Sequence, residues 1–160
     1  MATKETAQPE TTRILNNADR FFEWRFGENP PTTATYAHCK EIVDKENPKR
    51  HIVNIRATTG QRETDNLFGY SFQILFENGP PVDGTFKFPG EIIKFQHVYS
   101  VKGLPGFIET KTVAPVAGEI TLKFESNGVI VTGGGSAEFK ASGIRTQPTF
   151  AFNLLKLLGE

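Results

Sequence analysis

His97 and Tyr99 stand two residues apart in the run Glu91 to Val101 (EIIKFQHVYSV), on one alternation face with Ile93, Phe95 and Val101. In an extended strand that spacing sets an imidazole and a phenol about 7 Å apart on the same side. Both can donate a hydrogen bond to a substrate carbonyl. The plainer role for a histidine on an apolar strand face is that of a satisfied core residue. Tyr70 sits in the same manner among Phe68, Phe72, Ile74 and Phe76, either as a core tyrosine with its hydroxyl at a cavity mouth or as a third polar anchor. Gln73 lies on the opposite face of that run and reaches a cavity only if that face is the inner one. Alternation alone leaves the inner face of each strand open.

Other chemistry-bearing residues are more isolated. Arg56, in HIVNIRATT, shares a face with Asn54 and Ile52. Pointing inward it would bind a carboxylate or an enolate-like oxygen; pointing outward it is ordinary surface. Glu109 and Glu119 are acids that could polarise a carbonyl, or solvated strand residues. Cys39 follows His38 directly, and adjacent strand residues point to opposite faces, so the two cannot form a nucleophilic dyad. The histidines at 38, 51 and 97 have no metal-binding spacing, and no metal or cofactor is expected.

The elements that must position these groups read as strands. Leu67 to Glu77 (LFGYSFQILFE) alternates most clearly, and Glu91 to Val101 follows it. Further strands are predicted over 34–44, 51–58, 82–88, 107–113, 119–125, 129–132, 136–141 and 148–155, separated by turn signals such as Asn78-Gly79-Pro80-Pro81. Residues 14–26 (ILNNADRFFEWRF) read as a short strand or an extended arm, in which Trp24 would cover a cavity mouth. Residues 1–12 have the composition of a disordered tail, leaving 13–160 as a single domain. The expected fold is all-β, a small closed antiparallel barrel of about eight strands, since closure removes exposed edges. A two-sheet sandwich is the alternative.

Residues 118–143 (GEITLKFESNGVIVTGGGSAEFKASG) carry the most specific signal. A Ser-Asn-Gly turn leads into Val129-Ile130-Val131 and then Thr132-Gly133-Gly134-Gly135-Ser136. Three consecutive glycines call for φ > 0 or very close chain approach, as at a hard strand bend. No Gly-Lys-Ser/Thr follows, so they are not a phosphate cradle. This segment resembles the C-terminal signature of the allene oxide cyclase and dirigent barrels, and the ending Leu154 to Glu160 is similar to that of bacterial spirotetronate cyclases (Diels–Alderases). The run from Thr132 to Phe139 is one residue longer than that pattern and the interval to Gly143 one shorter.

The resemblance implies a cofactor-independent cyclase. Such an enzyme folds a linear apolar, unsaturated precursor and directs its stereoselective ring closure, a [4+2] cycloaddition by preference. Tyr70, His97 and Tyr99 would be the catalytic anchors, with Trp24, Arg56, Phe68, Phe72, Gln73 and Phe95 in contact with substrate. A lipocalin-like carrier of a hydrophobic small molecule is the alternative, and the abundance of apolar rings suits both: fourteen Phe against one Trp and three Tyr. Eighteen basic and eighteen acidic residues cancel, which gives nucleic acid or an anionic membrane surface little purchase. No apolar run is long enough to span a membrane. With a single cysteine and no signal-like start, the expectation is a cytoplasmic protein, forming a homodimer or homotrimer to cover apolar outer surface.

Overall fold

The alternating runs fold as strands, eleven of them in the described residues (20–60, 66–140 and 146–159) of the computed structural model. They are β1 (Phe21–Phe26), β2 (Thr32–Thr33), β3 (Tyr36–Val43), β4 (His51–Thr59), β5 (Phe68–Phe76), β6 (Gly84–Phe88), β7 (Ile92–Lys102), β8 (Ile108–Val113), β9 (Ala117–Glu125), β10 (Ile130–Glu138) and β11 (Pro148–Leu158). Among the described residues no helix is long and apolar enough to cross a membrane. The expected tail, 1–12, lies outside the described residues.

A path of hydrogen-bonded neighbours runs β6-β9-β10-β11-β3-β4-β5-β7-β8, with β1 joined to β11 and β2 to β1. The sheet curls strongly, but among the described residues no ladder joins its end strands. The expected closed barrel of about eight strands is therefore an open half-barrel with nine strands on its path. Side chains rather than backbone bridge the seam: Phe86 meets Phe76 at 5.1 Å and Phe88 meets Phe95 at 5.9 Å between ring centres. β6 is only five residues long, and Pro89, which has no N–H to donate, follows it at once. The pairing is not wholly antiparallel either. Beyond its ladder with β1, β11 runs parallel to β3, Lys156 to Leu158 against Cys39 to Glu41.

Residues 21–26 are no arm over a mouth. β1 is laddered to β11 from Phe21↔Asn153 to Phe26↔Pro148, which buries Phe22 and Trp24 completely. Phe22 stacks on Phe152 at 5.3 Å, and burial of such a side chain contributes roughly 2–3 kcal/mol. The inner face continues through Val53, Ile55 and Ala57 of β4, Ile120 and Leu122 of β9, and Phe150, Phe152 and Leu154 of β11.

Two local features depart from simple alternation. The glycine triplet lies within a continuous β10 and not at a strand end, and none of its three φ values is positive. Close approach is therefore what it serves: a side chain at Gly133 or Gly135 would collide with the Thr121 or Glu119 carbonyl of β9, and at Gly133 also with the ring of Phe152 opposite it. In β7 the register with β5 shifts between Gln73 and Ile74, so that Ile92 is fully buried while Ile93 is 45% exposed. This bulge ejects Ile93 from the face that alternation assigns it. The Ser-Asn-Gly turn behaves as its composition predicts, with φ of 54°, 61° and 85° at Ser126, Asn127 and Gly128.

Candidate functional site

The β5–β7 ladder brings six of the predicted residues together as three consecutive cross-strand pairs: Phe68↔Tyr99, Tyr70↔His97 and Phe72↔Phe95. All six share the inner face, so the face left open by alternation is the one carrying the aromatic residues. Trp24 joins from β1, its ring 5.4 Å from Tyr70 and 5.7 Å from Phe68. Arg56 and Gln73 are not part of this cluster. Arg56 stands opposite His38 and Ser71, and Gln73 opposite Asn54 and Lys94, all on the outer face. Of the two acids considered, Glu109 is exposed beside Lys111 and Glu119 is exposed on β9.

His97 is the centre of the arrangement. Its ring stacks on Tyr99 at 5.1 Å, lies 4.9 Å from Tyr70 and meets Phe68 edge-on at 4.4 Å. His97 Nδ1 is 2.8 Å from the carbonyl oxygen of Gly69. A carbonyl only accepts, so Nδ1 carries the proton and Nε2 holds a lone pair. Burial lowers the His97 pKa, against the smaller opposing effect of the Gly69 hydrogen bond. The imidazole is therefore neutral at pH 7. Burial raises the Tyr70 pKa, which keeps the phenol protonated. One donor, Tyr70 O–H, and one acceptor, His97 Nε2, thus sit side by side among apolar rings. Neither has a hydrogen-bond partner among the described residues. Hydrogen-bonding capacity that the protein itself leaves unused is capacity that a ligand can take up.

Phe139 and Phe150, neither of them a site candidate from sequence, complete the cluster. Phe150 lies 4.9 Å from Tyr70, and Phe139 lies 6.0 Å from both Tyr70 and His97. Phe139 also lines a cavity of about 330 Å³ with Glu138, Lys140, Thr146 and Gln147. A larger cleft of about 510 Å³ shares Glu138 and Gln147 and has Phe88, Pro89 and Ala137 in its wall. Phe139 is therefore the ring between the surface cavities and the Tyr70–His97 pair. Continuing the period-two pattern from Ala137 was the signal that could have found it.

At the other end of the inner face is a charged cluster that sequence reasoning missed. Glu41, 5% exposed, accepts hydrogen bonds from Lys156 and from His51 Nδ1, the latter at 2.6 Å. Burial works to raise the Glu41 pKa, but the hydrogen bonds and charges of Lys156 and His51 outweigh it and hold the carboxyl below its usual range. Lys156 also lies over the Phe124 ring at 5.5 Å. Cys39 is buried on the same inner face, with its thiol pushed up to about 12, chiefly by burial. A thiol held neutral is inert as a nucleophile.

Comparison of the chain with protein-family models, with curated proteins and with solved structures found no match.

Proposed function

We propose that the protein binds a linear apolar, unsaturated small molecule at the Tyr70–His97 end of the half-barrel and directs its intramolecular ring closure, a [4+2] cycloaddition by preference. The observation that carries this reading is the adjacent uncommitted donor and acceptor within a wall of aromatic rings. In such a closure two C–C σ bonds form while three π bonds become one. The electrons balance within the substrate, and neither an oxidant nor a proton source is consumed. The protein's task is then orientation and polarisation. Phe68, Phe72, Phe95 and Trp24 hold the folded chain, and restricting it to one reactive conformer lowers the barrier by several kcal/mol. Tyr70 O–H donates to a carbonyl conjugated with the dienophile, in surroundings that strengthen the bond. His97 Nε2 accepts from a substrate hydroxyl or N–H. Rotation of the Phe139 ring connects the surface cavities to this pair.

The test uses linear trienes or tetraenes with a terminal conjugated carbonyl. Chiral chromatography coupled to mass spectrometry should detect a product of unchanged mass in a single stereochemical form. Tyr70→Phe should lower kcat about tenfold or more with a smaller change in KM, because the lost bond strengthens as the carbonyl polarises. Retention of intact polyene in native mass spectra, with no isomer formed, would replace catalysis by carriage. Turnover unaffected by Phe at Tyr70 and by Ala at His97 and Tyr99 would remove the site assignment altogether.

A further inference from the structure

Among the described residues β8 is an uncovered end of the sheet: it pairs only with β7, and Ile108 through Thr112 are exposed. Such an edge offers its backbone groups to another strand. The ladder settles which groups are free. Ser100 N–H donates to Leu67 O at 3.0 Å, on the side away from β8, and Ser100 stands directly opposite Thr110. In an antiparallel pair, partners of this kind both turn N–H and C=O away from each other. Thr110, and with it Ile108 and Thr112 at period two, therefore aim backbone donors and acceptors at the open edge.

A second β8 laid antiparallel must set open residues against open residues. Thr110 then faces the partner's Ile108, Thr110 or Thr112. The first choice sets Glu109 against the partner's Glu109, and the third sets Lys111 against the partner's Lys111. Like charges directly opposite are destabilising. The middle register instead sets Glu109 against the partner's Lys111 on each side of a two-fold axis through Thr110. It overlaps Ile108 through Thr112 of each strand, with Ile108 opposite the partner's Thr112. Phe107, 66% exposed in the single chain, comes to lie opposite the partner's Val113.

We propose that β8 is the interface of a symmetric homodimer, with Thr110 on the two-fold axis and Glu109 paired to the partner's Lys111. The strand is self-complementary in charge in one register alone, which is what an isologous interface requires. A surface this small favours a dissociation constant in the range of about 1–100 μM.

Sedimentation equilibrium across that range is expected to show the dimer. Lys111→Glu and Glu109→Lys should each raise the dissociation constant at least tenfold, because each turns both ion pairs into like-charge pairs. Mixing the two single variants should restore association, as should the double variant E109K/K111E. Thr110→Pro reaches the same loss by removing an N–H that points at the open edge and not at β7. Circular dichroism on each variant verifies that the sheet is intact. A wild type that is monomeric throughout, a trimer, a Lys111→Glu variant that associates unchanged, or a double variant that does not recover would each overturn the proposal.

Discussion

Glu41→Gln is expected to cost about 3–5 kcal/mol of folding stability at pH 7, the loss typical of breaking a buried ion pair by removing one partner. Glu41 is 5% exposed and is the acceptor for both Lys156 and His51. An amide offers one acceptor oxygen and turns its NH₂ toward the remaining donor, so either the ammonium or the imidazole loses its bond. Lys156 has little recourse to water, since its side chain is 12% exposed. The Phe124 ring beneath it offers about 0.5–2 kcal/mol of cation–π attraction, less than the lost pairing. The effect is large also because of where the pair sits: Lys156 begins the short parallel ladder from β11 to β3, the junction on which the two halves of the sheet depend. Chemical denaturation measures the loss. Glu41→Gln combined with Lys156→Met should cost less than the sum of the single changes, because it leaves no buried charge unpaired.

The pH dependence follows from the direction of the carboxyl's shift. A group whose folded pKa lies below its unfolded value contributes stability that is fully present above the unfolded value, roughly 4.3 for glutamate, and that vanishes as pH falls through the folded value. The gap between wild type and Glu41→Gln should therefore narrow as the pH falls below about 4. An equal gap at pH 3 and pH 7 would assign the loss to packing and not to charge.

That the sequence does not reveal this cluster has a physical reason, as does its placing of Tyr70, His97 and Tyr99 on one face. The three polar rings lie on neighbouring strand segments, Phe68–Phe72 and Phe95–Tyr99, within which the register is unbroken, and period two sends residues of one parity there to one face. Glu41 and Lys156 are separated by 115 positions, and their meeting depends on a parallel pairing that no local pattern encodes. Arg56 and Gln73 could be placed only once the inner face was known, because their runs carry apolar residues of both parities. The bulge at Ile93 reverses local parity with no Gly or Pro to announce it. Closure was misjudged for a different reason. Whether two end strands meet depends on the accumulated curl of the whole sheet, while strand count and turn spacing are properties of single segments.

Gly133→Ala is expected to destabilise the fold by about 3 kcal/mol or more, at the severe end for a single added methyl group. A Cβ at this position would press on the carbonyl oxygen of Thr121 in β9, well inside van der Waals contact, and on the Phe152 ring at 2.9 Å. The ring can turn aside. The carbonyl cannot, because it belongs to the β9–β10 ladder in which Thr121 stands opposite Gly134 and Leu122 opposite Gly133. Relief therefore requires the two strands to separate locally, with loss of ladder hydrogen bonds and of ring packing behind them. Gly27→Ala is the instructive comparison. Gly27 has φ of 61°, and a Cβ there would meet nothing within 4 Å, so the cost is left-handed strain alone, about 1–2 kcal/mol. Both changes reduce the freedom of the unfolded chain equally, and the difference between them isolates the crowding. Should the two variants lose equal stability in denaturant titrations, close approach would not be what the triplet provides. A larger loss at Gly133 would mean that β10 carries glycine chiefly so that its backbone can lie close against the β9 carbonyls, with the Phe152 ring filling the space that remains.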